Sequence, residues 1–473
     1  MKKITQLLVL LFIGFNCLGQ SPVAFYPTSQ ANGQGFGSKI ACLNNDVLVS
    51  SVSFDLMSLT GKTYLFNLNA GNLVQTEVFY PSDALTSDRF GSSISLNTEF
   101  IAIGSPLHDA IFQDSGAVYI YRKVAGTWSL FQKILANDAT LNNQFGTFIK
   151  IHNNQLFISS INYLNGNADP NSNAGKVYVY SFNGTQWVFN QTLATIEPFK
   201  FGEKIEFDNN KLVVLGRENT NQLSAKFHTY TFNGTTWDFQ SSTETFGSLE
   251  EKITDFSLSE NQLFTTSTTM MNDKVSIYDW AAGNWNLASS FNITNFQDQK
   301  ATRIEVSNDK MFIGSSEYVL QIQRKFPLRY YKKVDGNWVY QSAFYGTETI
   351  SGRDDYFGSQ IELSGNNLII GAPNEGVIGS GKAYYFDTTL STEKFEKKLT
   401  SVYPNPTSDL VFIKNNSQNI LEKAEIYSLN GSLISTQSSS LEQISTGNIS
   451  AGMYFLKLHY TGEIVETFKI FKK

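Results

Sequence analysis

One pattern of apolar and polar positions recurs along most of this chain. In the stretch FGSQIELSGNNLIIGAP, apolar residues stand four, six, eleven and thirteen positions after Phe357. One residue separates the members of each pair, which is the period of two that puts alternate side chains of a β-strand on one face. The residues between the two pairs include Asn and Gly. The stretch therefore predicts two short strands joined by a tight turn.

The same pattern begins at six earlier positions. The starting residues are Phe36, Phe90, Phe145 and Phe201, and, in two more divergent copies, Lys252 and Lys300. Successive starting positions are 48 to 57 residues apart. Self-similarity at such a period indicates a repeat architecture.

Each repeat also has signals for a third and a fourth strand. The third is an alternating run such as GKVYVY from Gly175, and in five repeats a Trp follows the last Tyr of this run by seven residues. These tryptophans, which we expect in the core, are Trp128, Trp187, Trp237, Trp285 and Trp338. Asn-Gly and Asp-Gly turns before them indicate hairpins. Seven four-stranded units predict an all-β fold, a seven-bladed β-propeller.

The chain also shows how such a ring would close. The last repeat has a third strand ending at Phe386 but has Glu393 in place of the Trp, so its fourth strand is missing. FYPT from Phe25 stands eleven residues before Phe36, just as FYPS from Phe79 stands eleven before Phe90. We therefore expect the N-terminal segment to supply the missing strand and remove two exposed sheet edges.

The first residues, MKKITQLLVLLFIGFNCLGQ, have two lysines, an apolar run and small residues before Gln20. This pattern is typical of a secretory signal, here residues 1–19. A membrane anchor and a lipoprotein signal at Cys17 are the alternatives. The apolar run is short for a membrane span, so we expect none in the mature chain. Cys42 would remain as the single thiol and stands at an apolar offset, which favours a buried side chain.

Composition and motifs exclude several functions. The net charge of −6 gives no basic patch for nucleic acid. GVIGSGK from Gly376 lacks the Ser or Thr of a phosphate loop and leads into a strand. The four histidines are scattered, so we expect no metal site, no cofactor and no catalytic residue.

The repeats resemble FG-GAP repeats, the integrin-alpha-type propeller family, through FGSQIELSGNNLIIGAP, FGSSISLNTEFIAIGSP and the GKAYYF strands. The resemblance covers residues 20–386 and implies a propeller that binds protein partners. In integrins calcium occupies a DxDxDG-like loop between the first two strands. The corresponding connections here, such as LNND and SGNN, are too short for several oxygen ligands.

A charged linker, residues 387–400, precedes a second domain over residues 401–473. This domain resembles the type A C-terminal sorting domain of the type IX secretion system, a small Ig-like β-sandwich. The resemblance rests on YPNP, IYSLNG, AGMYFLKL and the terminal lysines, with sorting-motif residues Tyr403, Pro404, Asn405, Pro406, Gly452, Tyr454 and Lys457. It implies that type IX secretion machinery exports the protein, which is then secreted or displayed at the cell surface.

The sequence does not identify a ligand. A binding or adhesion protein for an extracellular protein or glycan is the favoured function, and a secreted enzyme or a structural envelope component is the alternative. In an up-and-down blade, the second-to-third loops and the links between blades share one face, and these segments vary most in length. Variable loops on a rigid scaffold carry binding sites. We expect contacts through His108, Tyr163 and Tyr318.

Overall fold

A computed structural model describes residues 23–29, 35–52, 61–69, 71–83, 85, 87–161, 175–195, 200–217, 225–245, 252–268, 273–293, 299–318, 327–346, 355–375, 379–388, 400–415, 420–428, 431–461 and 464–473. The expected signal segment and Tyr163 lie outside these residues. The chain divides into two compact units, Met1–Leu390 and Ser391–Lys473. The secondary structure elements of the described residues are β-strands.

The first unit contains seven four-stranded antiparallel sheets, which confirms the seven-bladed propeller. The strands of blade 1 are Phe36–Leu43, Asp46–Ser51, Lys62–Asn69 and Asn72–Phe79; of blade 2, Ser93–Leu96, Phe100–Ser105, Ala117–Val124 and Thr127–Ile134; of blade 3, Phe145–His152, Gln155–Ser160, Lys176–Phe182 and Trp187–Ala194. Those of blade 4 are Lys204–Asp208, Lys211–Arg217, Ala225–Phe232 and Trp237–Thr245; of blade 5, Lys252–Ser259, Gln262–Thr268, Asp273–Ala281 and Asn284–Asn292. Those of blade 6 are Gln299–Ser307, Lys310–Tyr318, Leu328–Val334 and Asn337–Phe344; of blade 7, Gln360–Ser364, Asn367–Ala372, Lys382–Asp387 and the N-terminal strand Val23–Phe25.

The N-terminal strand closes the ring as expected. It pairs antiparallel with the third strand of blade 7, in the register Val23↔Tyr385 to Phe25↔Ala383. The strand ends at Phe25, so the FYPT segment contributes only its first residue, and Pro27 has no N–H to continue a ladder. The first strand of each blade contacts that of the next, and blade 7 contacts blade 1. The seven first strands therefore surround an axial channel.

Four junctions between blades use the same close contact, in which the glycine before one third strand lies against the Phe that begins another repeat. Phe145, which begins blade 3, is fully buried and packs edge-on against Tyr178, with ring centroids 5.2 Å apart. Gly116, before the third strand of blade 2, lies against the Phe145 backbone, where a Cβ would come within 2.2 Å of the Phe145 carbonyl oxygen. Only glycine allows this approach, which explains the Gly at the start of the GKVYVY-type strands.

The tryptophans of the fourth strands pack across blades. Trp187 is 3% exposed and contacts Phe100 of blade 2 at 5.2 Å between ring centroids. Trp237 and Trp285 are equally buried. Trp128 and Trp338 are only half-buried, so the expectation that every Trp lies in the core is wrong for these two. Trp338 contacts blade 5 through Phe264 alone among the ring contacts of the described residues.

The second unit is a sandwich of two antiparallel sheets. The three-stranded sheet has the order Thr400–Tyr403, Leu410–Asn415, Gln443–Ser445, and the four-stranded sheet has the order Leu433–Gln437, Leu421–Ser428, Gly452–Tyr460, Ile464–Lys472. Alternate residues of both sheets, including Val411, Ile426 and Leu456, form one core. This confirms the Ig-like sandwich expected from the sequence.

Candidate functional sites on the link face and in the axial channel

We call the propeller surface formed by the second-to-third loops and the links between blades the link face, and the opposite surface the turn face. Hydrogen bonds show that loops and links meet on the link face. Gln113, in the second-to-third loop of blade 2, accepts a bond from Asn142 N–H in the following link at 2.9 Å, and Asp114 accepts one from Gln144 N–H at 2.9 Å. These bonds fix the loop against the link.

His108 lies in this loop, but its side chain is only 8% exposed. Its Nδ1 is 2.6 Å from Asp88 Oδ2, and its Nε2 is 2.8 Å from Lys133 Nζ. An ammonium group can only donate, so Nε2 accepts from Lys133 and Nδ1 donates to Asp88. Asp88 Oδ2 also accepts a bond from Leu85 N–H at 2.9 Å. His108 thus ties its loop to the link that precedes blade 2.

Lys133 extends this network. Its Nζ lies 2.6 Å from Asp83 Oδ2 and sits over the ring of Tyr119, whose hydroxyl donates to Asp83 Oδ1 at 3.0 Å. Burial acts to raise the pKa of Asp83, but the hydrogen bonds from Lys133 and Tyr119 outweigh it and lower the pKa. The network therefore holds a carboxylate and a lysine under the link face.

The other two expected ligand contacts are Tyr163 and Tyr318. Tyr163 lies outside the described residues. Tyr318 is the last residue of the second strand of blade 6, where that strand reaches the link face, and its side chain is outside the description. Of the three expected contacts, only His108 has a described side chain, so contact of His108, Tyr163 and Tyr318 with a ligand stays a prediction.

A group of exposed apolar side chains that the repeat pattern does not predict lies beside His108. Ile111 and Phe112 in the loop of blade 2 are 52% and 50% exposed, and Leu141 in the adjoining link is 58% exposed. The backbone bond between Gln113 and Asn142 places the loop and the link side by side. We call these three residues the link-face apolar patch. The sequence feature that could have indicated this patch is the presence of apolar residues in segments without the periodicity of a strand.

The axial channel is a second candidate site. Its cavity is about 800 Å³ and is lined by the first strands of all seven blades. Charged residues occupy it in two levels, one three residues and one five residues after each repeat origin. The link-side tier contains Lys39, Lys204, Asp255 and Arg303, and the turn-side tier contains Lys150, Glu206, Glu305 and Glu362. The formal charges sum to +2 in the first tier and −2 in the second.

Several of these charges are paired across blades. Lys204 Nζ is 2.9 Å from Asp255 Oδ1 and 3.4 Å from Glu206 Oε1, and Lys150 Nζ is 3.4 Å from Glu206 Oε2. Arg303 instead donates through Nε to the Ser359 carbonyl at 3.0 Å. These contacts join blade 3 to blade 4, blade 4 to blade 5 and blade 6 to blade 7 along the inner edges of the blades.

Two charged groups have no such partner. Within the part of the chain that the structure describes, Lys39 Nζ and the Glu305 carboxylate form no hydrogen bond or ion pair. Burial, with help from Arg303, lowers the pKa of Lys39 to about 8. Burial and the neighbouring Glu362 raise the pKa of Glu305. Burial also raises the pKa of Glu362, to about 7, against the attraction of Lys150. Perturbed groups in a cavity mark functional-site candidates.

The sorting-motif residues lie at the start of the second unit and in its penultimate strand, Gly452–Tyr460. Asn405 Nδ2 donates to the Lys469 carbonyl at 2.8 Å, and Asn405 Oδ1 accepts from Phe471 N–H at 2.8 Å. Tyr403 is exposed and stacks on Phe412, while Lys457 Nζ lies 4.8 Å from the ring centroid of Tyr427. The YPNP segment is thus fastened to the C-terminal strand, which accounts for both being present in the motif.

Comparison with known proteins identifies both units. The sequence model described as "FG-GAP repeat" matches residues 73–121 and 128–180, and the one described as "Secretion system C-terminal sorting domain" matches residues 401–473. Among curated proteins there is no match. The FG-GAP repeats and the type IX sorting domain inferred from the sequence are therefore confirmed.

Similar solved structures include PorZ of Porphyromonas gingivalis, described as an essential bacterial surface component of the type-IX secretion system. The identity is 13% and the TM-score 0.51, and the match covers 95% of this chain and 61% of that chain. Kuenenia stuttgartiensis hydrazine synthase matches at 10% identity and a TM-score of 0.49, over 73% of this chain and 94% of that one. The likeness to PorZ concerns the fold.

The sorting domain indicates how the protein is exported and where it is located. The protein is exported through the type IX secretion system and is secreted or attached to the cell surface. In the described residues, no helix has the length and apolar character needed to cross a membrane.

Proposed function

We propose that this protein is a non-catalytic binding protein of the cell surface or the medium, which holds an extracellular protein on the link face of its propeller. The observation that carries the proposal is the link-face apolar patch. Exposed apolar patches mark interaction sites, because binding of a partner removes their apolar surface from water and so lowers the free energy of the complex. A glycan is the alternative ligand.

The surroundings of the patch fit a docking site. The loop and the link that carry Phe112 and Leu141 are joined by backbone hydrogen bonds, and the buried His108–Asp88 pair fixes the base of the loop. A surface held in place before binding loses little conformational entropy on complex formation. His108 would then position the loop, while Tyr163 and Tyr318 remain expected contacts on the same face.

The test compares two faces of one blade. A variant with Ile111→Ser, Phe112→Ser and Leu141→Ser is used with the parent protein to capture partners from the extracellular fraction and on a glycan array. The matched control carries Val124→Ser, an exposed apolar residue beside the turn at the opposite end of blade 2. We expect the triple variant to lose the captured protein and the control to retain it. Equal capture by both variants would place the site elsewhere, and binding to the array alone would identify a glycan ligand.

Export is tested separately. Deletion of residues 399–473 is expected to leave a folded propeller in the periplasm, because the sorting domain is removed while the ring and its closing strand remain. Cell fractionation and limited proteolysis measure location and folding. Surface display of the truncated protein would show that the C-terminal unit is dispensable for export.

A further inference from the structure

The axial channel has features that neither export nor binding on the link face uses. Its lining is charged, whereas a channel that serves only to close a ring could be filled by small or apolar residues. The cavity of about 800 Å³ lies in the size range of small-molecule sites. Its two tiers have opposite net charge, and each tier contains a group without a bonding partner among the described residues, Lys39 in one and Glu305 in the other.

The spacing of the tiers follows from strand geometry. Arg303 and Glu305 are two residues apart in one strand, and so their side chains project to the same side, roughly 6.6 Å apart along it. Arg303 donates its Nε to the Ser359 carbonyl and its Nη1 to the Thr302 carbonyl rather than to Glu305. Lys39 lies close enough to Arg303 for each charge to disfavour the other. The link-side tier therefore presents unneutralised cations, and the turn-side tier presents the carboxyl pair Glu305 and Glu362.

We propose that the channel binds a small zwitterion whose carboxylate contacts Lys39 and Arg303 and whose ammonium contacts Glu305 and Glu362. An ω-amino acid, or a lysine at the end of a peptide, has charges at about this separation. Entry from the link face suits the orientation, because Lys200 and Lys252 also line the cavity beside the link-side tier and attract the anionic group, whereas Arg217 there is paired with Glu203. The charged groups of the channel have lost part of their hydration through burial. Binding of a ligand with matching charges is therefore favourable, since each charged group of the ligand forms hydrogen bonds that replace this hydration.

The first experiment is calorimetric titration of the secreted protein with 5-aminopentanoate, pentanoate, pentylamine and glycine. We expect 5-aminopentanoate to bind at least tenfold more tightly than each of the other three, because each lacks one charge or the spacing between them. Equal affinity for pentanoate would show a simple anion site and overturn the proposal. No binding of 5-aminopentanoate at millimolar concentration would also overturn it.

The second experiment uses variants. Lys39→Met and Glu305→Gln each remove one charge that has no bonding partner among the described residues, so both proteins should fold as the parent does. Each is expected to weaken 5-aminopentanoate binding tenfold or more. The matched control is Lys123→Met, an exposed lysine beside the third-to-fourth turn of blade 2, and it should leave binding unchanged. Equal weakening by the control, or none by Lys39→Met, contradicts the site.

The pH profile gives a third readout. Binding requires ionised channel carboxyls and a protonated Lys39, so affinity should rise as the pH passes about 7, where Glu362 ionises, and fall above about 8, where Lys39 loses its proton. The other charged groups that face these residues are Lys150, Lys204, Glu206, Asp255 and Arg303. In the Glu362→Gln variant, the increase in affinity near pH 7 should be smaller than in the parent protein. A flat profile would contradict the proposed contacts.

Discussion

The junction between blades 2 and 3 and the junction between blades 5 and 6 place different residues at equivalent positions. At the first, Gly116 lies against Phe145, which packs on Tyr178. At the second, Asp273 stands at the glycine position and accepts a hydrogen bond from Ala301 N–H at 2.6 Å through Oδ2. Arg329 stands at the Tyr178 position, where it is fully buried and donates to Ser315 Oγ at 3.0 Å.

The repeats therefore differ in whole contacts, in which both partners change, rather than in single residues. The five repeats that start with Phe have an aromatic partner in the third strand: Tyr64, Tyr119, Tyr178, His228 and Tyr384. The two that start with Lys have Ser276 and Arg329 there. The aromatic pair is lost as a unit, and the junction between blades 5 and 6 has the Asp273–Ala301 and Arg329–Ser315 hydrogen bonds instead.

The largest expected effect concerns tryptophans on the two sides of this comparison. Trp187→Ala should reduce the free energy of unfolding by roughly 3–5 kcal/mol, because the buried ring joins blades 2 and 3. Trp338→Ala, at a half-buried ring, should cost about half as much. Urea unfolding measures both. Equal costs would mean that Lys-type repeats depend on their aromatic contacts as strongly as Phe-type repeats do.

The next effect concerns the residue after each repeat origin. Gly146 has φ of +94°, and a Cβ there would come within 2.9 Å of the Ala117 carbonyl oxygen. Gly146→Ala should therefore cost on the order of 2 kcal/mol. The equivalent residue of blade 6 is Ala301, and Ala301→Gly should cost about 1 kcal/mol or less. Thermal unfolding of both variants checks whether the glycine requirement is confined to Phe-type repeats.

An effect of comparable size depends on pH and involves Glu305 and Glu362, the channel carboxyls that a Lys-type repeat and a Phe-type repeat place side by side. The pKa of Glu362 rises from 4.5 to about 7 in the folded protein, so the folded state holds more protons than the unfolded state between these values. Stability should therefore fall as the pH rises through this window. Glu362→Gln should remove on the order of 2 kcal/mol of this dependence. An unchanged pH profile in the variant would show that Glu362 is ionised freely in the channel.

The smallest effect should have opposite signs in two third-to-fourth turns. Asn183 Oδ1 accepts bonds from Thr185 N–H and Gln186 N–H, each at 2.9 Å, so Asn183→Ala should cost about 1 kcal/mol. In blade 5 the turn uses Ala282 at φ of 53°, a conformation that asparagine tolerates better. Ala282→Asn should therefore stabilise by about 0.5 kcal/mol. Calorimetric melting temperatures decide both signs.

Much of the fold could be predicted because it depends on local periodicity. Offsets from Phe36 to Phe357 predicted paired strands, and the FYPT segment predicted closure. The sandwich followed from its resemblance. The half-buried state of Trp338 could not be predicted, since it depends on how much blade 5 covers the ring. The apolar offsets that define the repeat do not include Lys39, three residues after its origin, or Glu305, five residues after its origin.

The sites were harder to infer for the same reason. A histidine in a variable loop is expected to be an exposed ligand contact. The burial of His108 instead depends on Asp88 and Lys133, which come from other segments of the chain. The link-face apolar patch likewise joins a loop to a link about thirty residues away. No local pattern encodes such proximity. It appears only when the blades are assembled.

Closure by the N-terminal strand also governs the order in which the propeller can fold. The residues that pair, Val23 and Tyr385, are separated by about 360 positions, so the ring cannot be completed until nearly the whole propeller has been synthesised. The entropy cost of joining such distant segments grows slowly with length, but contacts of this kind slow folding. The closing strand is made first and used late. It has only three residues, and so it exposes little apolar surface while the ring is open.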